Sequence, residues 1–337
     1  MSFRVHREGE LEYLTSDVLD GAAHCFSTRF GGVSEGALAS LNLGTHRGDR
    51  PENVLENYAR LGRAVGFAPE ETVFTKQVHS AIVERVGRAD CGRGLQREAE
   101  HGVDGLVTNE PGVALTIFSA DCTPVLLFDP IARAIGAAHA GWRGTAAGIA
   151  ARAVEAMQRE FGCRPENIRA AIGPCIGPCC FETDADVPDA MRAALGSEAG
   201  QAIRPAGAKF YVDLKRLNAI WLRRAGVTCI DVSADCTACQ PQRFWSHRRV
   251  GNARGSLAAI IRHSGPESHR SGRKRQRRTH HLDQQQPCRR HGRPLWSGNG
   301  GGGRGGPDHR HHPGRPQRQL HRLCRGTGGD PGTDQGR

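Results

Sequence analysis

Residues 112–144 read GVALTIFSADCTPVLLFDPIARAIGAAHAGWRG, a series of apolar runs interrupted by Asp, Pro and Gly. Short apolar runs bounded by turn residues are typical of buried β-strands. The next segment, GTAAGIAARAVEAMQREFG, predicts a helix that closes at Gly162. Upstream, PENVLENYARLGRAVG predicts a helix from Pro51, and TVFTKQVHSAIVERV alternates apolar and polar residues as a strand does.

The order of these elements mixes helices and strands over one apolar core, and no repeat or linker occurs before residue 264. We therefore predict a single domain over residues 1–262. The remaining residues, 263–337, are predicted to be a low-complexity basic tail that is disordered, because from residue 264 onward it contains no Ala, Val, Ile, Phe, Met or Tyr.

The tail also accounts for the charge of the chain. Residues 264–337 hold 16 Lys and Arg against 5 Asp and Glu, which is the whole formal net charge of +11. The folded domain is therefore formally neutral and gives no indication of binding nucleic acid. For the tail itself two interpretations are open: a basic arm that binds nucleic acid, or translation out of frame in a GC-rich gene, which the sudden loss of Ala favours.

The first residues, MSFRVHREGELEYL, are charged throughout, and no later run approaches the length of a membrane span. We expect no membrane partner and a cytoplasmic location. The chain has 12 Cys, which in that setting indicate reduced thiols, metal ligands or a nucleophile. The oligomeric state, monomer or dimer, is left open.

Three residues of metal-ligand type lie in apolar strand context: His79, Cys122 and His139. Such a set leaves one tetrahedral position open, which catalytic zinc needs to activate water or polarise a substrate oxygen. The same residues fit a cysteine hydrolase, with Cys122 as nucleophile, His139 or His79 as base and Asp121 as orienting group. Both interpretations need a lowered thiol pKa, so the sequence does not separate them.

Two further segments are candidates for binding an anion. Arg143 stands at or just before a predicted helix N-terminus, where backbone N–H groups and a guanidinium fork suit phosphate or carboxylate. The loop SLNLGTHRGDRPENV places Asn42, His46 and Arg47 among glycines, and we predict that they bind substrate or phosphate. The alternatives are a structural ion pair for Arg143 and a solvated turn for the loop.

The other cysteines give weaker signals. AIGPCIGPCCFE contains Cys175, Cys179 and Cys180, and DCTACQP contains the pair Cys236 and Cys239. A structural zinc would want two such pairs, and redox chemistry would want a thioredoxin-like context. We see neither in the sequence and expect buried thiols.

Seven motifs occur in order between residues 20 and 262: STRFGGVSEG, SLNLGTHRGDRPENV, FTKQVHS, DGLVTNEPGVALTIFSADCTPVLLFD, AAHAGWRGTAAGI, AIGPCIGPCCFE and CTACQPQRFWSHRR. Together they closely resemble the laccase-domain family, also called the multicopper polyphenol oxidase family. The resemblance implies an α+β fold with mixed sheets packed as a sandwich flanked by helices. It also implies zinc, rather than copper, held by His79, Cys122 and His139.

Members of that family are described as purine nucleoside phosphorylases with adenosine deaminase activity. The resemblance therefore implies phosphorolysis of adenosine, inosine, guanosine and methylthioadenosine, and deamination of adenosine to inosine. By residue type we assign Asp121 as a proton carrier, and Arg143 with His46 or Arg47 as the phosphate site. Purine nucleosides and phosphate are the expected partners.

One segment departs from the family pattern. A usual member has a sequence like RRDGxTGRMAS, whereas this chain has RRVGNARGSLAA, with Arg254 and Gly255 where Gly-Arg is expected. Activity depends on whether that arginine contacts substrate. A copper-dependent polyphenol oxidase is a further alternative, but it would want paired histidines, and the adjacent histidines of this chain lie in the tail.

Overall fold

A computed structural model of the protein describes residues 3–263, so the predicted tail, after its first residue, lies outside the described residues. The strands are β1 (Phe3–Glu8), β2 (Leu11–Ser16), β3 (Ala23–Ser27), β4 (Thr72–Phe74), β5 (Val83–Arg85), β6 (Gly105–Thr108), β7 (Ala114–Ser119), β8 (Thr123–Asp129), β9 (Ala134–Ala140), β10 (Arg169–Ile172), β11 (Glu182–Thr183), β12 (Ile203–Ala206), β13 (Lys209–Val212), β14 (Cys229–Val232) and β15 (Leu257–Arg262). The α-helices are α1 (Pro51–Val65), α2 (Trp142–Ala146), α3 (Ile149–Phe161), α4 (Asp186–Leu195), α5 (Leu214–Arg224) and α6 (His247–Val250).

Two six-stranded mixed sheets form the centre of the fold. The first sheet has the order β1-β2-β3-β15-β7-β4, and the second has the order β14-β10-β8-β9-β6-β5. Most neighbours are antiparallel, but the edge strands β4, β5 and β14 run parallel to β7, β6 and β10 respectively. A small antiparallel sheet, β11-β13-β12, lies beside them.

The alternation of side chains along β8 shows how the layers pack. Leu126 and Phe128 belong to the core shared by the two large sheets, whereas Val125 and Leu127 belong to a second core with α3. Because successive side chains of a strand point to opposite faces, a continuous apolar run is what a strand buried on both faces requires. The predicted α+β sandwich flanked by helices is confirmed.

The outer face of the first sheet is covered by α1. Val54, Tyr58 and Leu61 of this helix are buried, in the pattern expected for one face of an amphipathic helix. Burial of each such side chain contributes about 1.5–3 kcal/mol. The helix ends at Gly66, whose φ of 100° is the left-handed conformation that glycine adopts at helix C-termini. Nowhere in residues 3–263 is a helix long and apolar enough to cross a membrane.

Two sequence predictions were wrong in detail. The single strand predicted over 72–86 is two short strands, β4 and β5, because residues 75–82 form a loop held by the carboxylate of Asp104. The helix predicted over 144–162 is divided into α2 and α3 at Gly148, which has a φ of 75°. Trp221 of α5 packs against Gly148, and its indole N–H donates to the carbonyl of Thr145 at 2.8 Å, which fixes the break.

Candidate metal centre

Cys122 and His139 lie at the same end of the neighbouring strands β8 and β9, and the loop that carries His79 meets them there. Cys122 immediately precedes β8, His139 is the penultimate residue of β9, and His79 lies in the loop between β4 and β5. One ligand atom from each lies within 4.8 Å of the other two, and Cys122 Sγ is 3.8 Å from His79 Nε2. Zinc bonds of about 2.0–2.3 Å require such donor separations, so the residues fit a three-ligand zinc site with one open position.

Asp104, a residue that sequence reasoning missed, organises this His–Cys–His cluster. Its fully buried carboxylate accepts a hydrogen bond from His139 Nδ1 at 2.8 Å. That bond leaves His139 Nε2 to face Cys122 and fixes the ring, as the carboxylate partner of a metal-bound histidine does. The only signal in the sequence was an acidic residue at the start of the apolar run DGLVT.

The same carboxylate holds the loop that carries His79. The backbone N–H groups of Val78, His79 and Ser80 donate to Asp104 at 3.2, 3.0 and 2.6 Å, and the Ser80 hydroxyl donates at 2.8 Å. His79 has a φ of 62°, an uncommon conformation for a side-chain-bearing residue. One buried carboxylate therefore sets the positions of two of the three candidate ligands.

The electrostatics of the cluster favour a thiolate. Burial opposes ionisation of Cys122, but His139 and His79 outweigh it and lower the pKa of the thiol to about 6. Burial likewise disfavours a charged His139, but Cys122 and Asp104 outweigh it and raise the pKa of that imidazole to about 9. Thiolate is the form of Cys that binds metals and attacks electrophiles. The lowered pKa is therefore compatible with both a zinc site and a cysteine hydrolase.

The small residues around His139 allow backbone to lie against the cluster. A Cβ atom on Gly141 would stand 2.6 Å from Cδ2 of His79 and 3.3 Å from Sγ of Cys122. One on Gly144 would approach the carbonyl oxygen of Ser80 to 3.1 Å. Gly141 therefore lets the chain approach the ligands closely, and Gly144 lets it approach the backbone of Ser80 next to His79.

Asp121 has a φ of 88° and lies next to Cys122. Its carboxylate accepts hydrogen bonds from the Thr237 hydroxyl at 2.6 Å, the Ser246 hydroxyl at 3.0 Å and the backbone N–H of Arg248 at 2.6 Å. These contacts join Asp121 to the segment 237–248 and hold it in place. Its assignment as a proton carrier stays a prediction.

Arg254 brings positive charge to the cluster, and Arg47 lies near Arg254. Arg254 is buried, and its pKa falls to about 10 because burial disfavours the cation and Arg47 repels it, while Asp121 and Cys122 act in the opposite direction. Its Nε has no hydrogen-bond partner among the described residues. Arg47 is half-buried and donates to the Ser256 hydroxyl at 3.2 Å. The arginine of the divergent segment thus lies near the predicted site.

The other predicted anion-binding residues have different surroundings. His46 and Arg143 are exposed, and the Arg143 guanidinium lies over the ring of Trp142 at 4.3 Å. Asn42 is fully buried: its amide donates to Asp49 and Gly44 and accepts from the backbone N–H groups of Gly44 and Ser256. These contacts hold the loop, and direct contact of Asn42 with substrate stays a prediction.

Comparison with known proteins places these motifs in a family. Residues 23–264 match the family described as multi-copper polyphenol oxidoreductase laccase. The purine nucleoside phosphorylase YlmD of Geobacillus stearothermophilus is 42% identical over 246 residues, which cover 72% of this chain and 90% of the relative. The purine nucleoside phosphorylase YfiH of Escherichia coli K12 is 37% identical over 241 residues, covering 72% and 93%.

The fold is similar to solved structures of the same kind. The crystal structure of YlmD from Geobacillus stearothermophilus superposes with a TM-score of 0.74 at 39% identity, covering 78% of this chain and all of that one. A Bacillus licheniformis protein, YfiH, gives a TM-score of 0.73 at 33% identity, covering 77% and 98%.

Proposed function

The chain belongs to the multi-copper polyphenol oxidoreductase laccase family, and from that premise we propose that it is a purine nucleoside phosphorylase. Support comes from one arrangement: the buried guanidinium of Arg254 acts electrostatically on Cys122 of the His–Cys–His cluster, and Arg47 lies near that guanidinium. A metal-ligand set provides an electrophilic site, and neighbouring guanidinium groups suit phosphate.

We assign zinc to the cluster. A bound zinc ion would supply a Lewis acid with one open coordination position, and His79, Cys122 and His139 would hold it. A copper oxidase of phenols would need additional histidine-rich sites. Within residues 3–263 the other group of metal-ligating side chains consists of four cysteines, which does not supply them.

In phosphorolysis an oxygen of monohydrogen phosphate forms a bond to the ribose C1′ carbon, the bond from C1′ to the purine nitrogen breaks, and the base leaves with the proton that the phosphate gives up. Positive charge develops on the ribose, so an anion fixed beside it stabilises the transition state. We assign Arg47 and Arg254 to hold that phosphate, with the exposed His46 and Arg143 as further donors. The orphaned Nε of Arg254 gives this buried cation a donor for an anion.

The proposed substrates are adenosine, inosine, guanosine and methylthioadenosine. A second reaction is proposed for adenosine: water adds to the ring carbon that bears the amino group, ammonia leaves and inosine forms. Asp121 is the candidate for moving the proton in that step, because its three hydrogen bonds hold it beside Cys122.

The test is turnover of adenosine by the full chain, with and without phosphate, followed by chromatography. We expect adenine to appear only with phosphate and inosine to appear in either case. Cys122→Ala should abolish both products. Arg254→Gln should weaken phosphate use about 10- to 100-fold, because it removes a charged donor. Arg152→Ala is the matched control, since Arg152 is exposed and pairs with Glu155 on α3. Unchanged turnover in Cys122→Ala would exclude metal catalysis at this site.

A second candidate function, a cysteine hydrolase, is favoured by one observation. Cys122, His139 and Asp104 form a chain in which the carboxylate orients the histidine and the histidine faces the thiol, as in a nucleophile–base–orienter triad. The sequence-based assignment of Asp121 as the orienting group was wrong, because the Asp121 carboxylate is bound by Thr237, Ser246 and Arg248 instead. Such an enzyme would be metal-free and inactivated by thiol alkylators, and chelators would not affect it. A metal-free protein without nucleoside turnover would direct the search to amide and ester substrates.

A further inference from the structure

Four cysteines outside the His–Cys–His cluster come together in space. Cys179 and Cys180 follow β10, and Cys236 and Cys239 follow β14. Because β10 and β14 are parallel neighbours, their carboxyl ends lie at the same edge of the second sheet. The two Cys pairs that a structural zinc needs therefore come from two different loops, one after each strand.

The sulfur positions suit a single ion. All four Sγ atoms lie within 4.8 Å of one another, with Cys179 and Cys180 at 3.3 and 3.4 Å from Cys239. A tetrahedron with metal–sulfur bonds of about 2.3 Å has sulfur–sulfur edges of about 3.8 Å, which falls within this range. A disulfide bond needs sulfurs only about 2.05 Å apart. Cys179 and Cys239 are exposed, so the expectation of buried thiols fails for them.

The backbone around the cluster is arranged to stabilise thiolates. The N–H of Gly177 donates to Cys236 Sγ at 3.1 Å. Gly177 must be small there, since a Cβ atom on it would stand 3.2 Å from both Cys179 Sγ and Cys236 Cβ. Arg249 also approaches Cys180 Sγ, at 4.0 Å from Nη2. Four thiolates around a divalent cation carry two net negative charges, and the N–H group and the guanidinium offset part of that charge.

We propose that Cys179, Cys180, Cys236 and Cys239 form a second, structural metal site that binds one zinc ion. Four sulfur ligands close the coordination sphere, which is the arrangement of structural zinc, whereas catalytic zinc keeps a position open. The site ties the loop after β10 to the segment that leads to Arg248, whose backbone N–H donates to Asp121. Zinc binding by these four cysteines does not depend on whether the chain catalyses the reaction proposed above.

The first test is the zinc content of the full chain, prepared with zinc under reducing conditions. We expect about two zinc ions per chain when both sites are filled. Cys236→Ser and Cys239→Ser should each lose one ion and keep the other, whereas His79→Ala should lose only the ion of the other cluster. Cys91→Ser is the matched control, because its half-buried thiol lies near two carbonyl oxygens, of Glu71 and Gly112, and should change neither count.

A second measurement needs no variant of the cysteines and covers the case in which those variants fail to fold. In His79→Ala, cobalt(II) should give the intense sulfur-to-metal charge-transfer absorption of several thiolate ligands. Zinc should also protect Cys179 and Cys239 from iodoacetamide, as read by peptide mapping. Three outcomes would each overturn the proposal. They are retention of both ions in Cys236→Ser, failure of zinc to protect the two thiols from iodoacetamide, and a Cys179–Cys239 disulfide in protein prepared under reducing conditions. If His79→Ala loses its ion while the four thiols keep theirs, the two sites are separate.

Discussion

Two buried histidines on strands, His24 in β3 and His139 in β9, occupy opposite sheets and have opposite surroundings. His24 donates from Nδ1 to the carbonyl of Ala22 and accepts at Nε2 from the backbone N–H of Ser16, both at 2.9 Å. His139 donates from Nδ1 to a carboxylate, that of Asp104, and turns Nε2 toward Cys122. Burial lowers the pKa of His24, whereas thiolate and carboxylate raise that of His139. The partners of the second nitrogen, and not burial, distinguish a structural histidine from a candidate ligand.

The largest expected effect comes from replacing each of the two histidines by glutamine. His139→Gln should lose the zinc of the His–Cys–His cluster and reduce adenosine turnover by at least about 100-fold, since removing a ligand costs more than removing its outer partner. His24→Gln should keep both, and lose about 1–3 kcal/mol of unfolding free energy because the N–H of Ser16 loses its acceptor. Zinc analysis, turnover and denaturant unfolding measure the three quantities. Zinc loss in His24→Gln would remove the distinction.

A smaller effect is expected at the carboxylate that orients His139. Asp104→Asn should weaken zinc binding about 10- to 100-fold, because the amide holds the ring and the His79 loop less well. Asp129→Asn is the control: this carboxylate is also fully buried, and it accepts from the backbone N–H groups of Ile131 and Ala132 in a turn. Competition with a chelator would measure the affinity. Equal weakening in both variants would mean that Asp104 acts only through general stability.

Gly141→Ala should have a more modest consequence. The φ of Gly141 is −62°, so alanine fits the backbone, and the added Cβ meets His79 and Cys122 instead. Overpacking of this kind costs about 1–3 kcal/mol, and a cost near the lower end of that range, about 1.4 kcal/mol, corresponds to tenfold weaker zinc binding. Gly200→Ala is the matched control, because nothing lies within 4 Å of its Cβ position. A Gly141→Ala protein with unchanged zinc affinity would show that the ligands move aside freely.

The smallest effect is the pH dependence that His24 contributes. Its folded pKa lies below the ordinary 6.5, so above pH 6.5 the imidazole is neutral in both states and costs nothing. Below pH 6.5 the unfolded chain takes up a proton that the folded one does not, and the unfolding free energy falls by up to about 1.4 kcal/mol per pH unit. The fall ends at the folded pKa. Asp20 and His6 are the titratable neighbours of the ring; Asp20 raises its pKa and His6 lowers it.

His24→Gln should flatten this part of the profile. Unfolding free energies of the two proteins, measured between pH 7.5 and 5, would give the difference, in which the titration of histidines distant from His24 cancels. Parallel profiles would show that folding does not lower the pKa of His24.

Elements with a clear hydrophobic period were predictable from the sequence. The helix from Pro51 and the buried strands β7, β8 and β9 follow their apolar patterns. β1 was not predicted, because FRVHRE has charged residues throughout and pairs with β2 through backbone hydrogen bonds. The strand predicted over 72–86 failed because Asp104, distant in sequence, replaces ladder hydrogen bonds in residues 75–82.

The candidate site divides in the same way. The three residues of the His–Cys–His cluster were singled out from their chemical type and motifs, and the structure brings them together. Asp104 could not be found, because its role depends on the pairing of β6 with β9, which places it beside His139. The four-cysteine cluster depends in turn on the parallel pairing of β10 with β14. Contacts that depend on which strands pair cannot be predicted from a local sequence pattern.

The position of β15 has a consequence for biosynthesis. This strand, the last of the described ones along the chain, lies between β3 and β7 in the middle of the first sheet. During synthesis on the ribosome, β3 and β7 therefore cannot pair with their shared neighbour until nearly all of residues 3–263 have emerged. Arg254 and Ser256 immediately precede β15, so the cationic side of the cluster assembles in the same late event. A nascent chain that stops before residue 254 lacks that guanidinium and the strand that completes the sheet, even if its three metal ligands have already bound an ion.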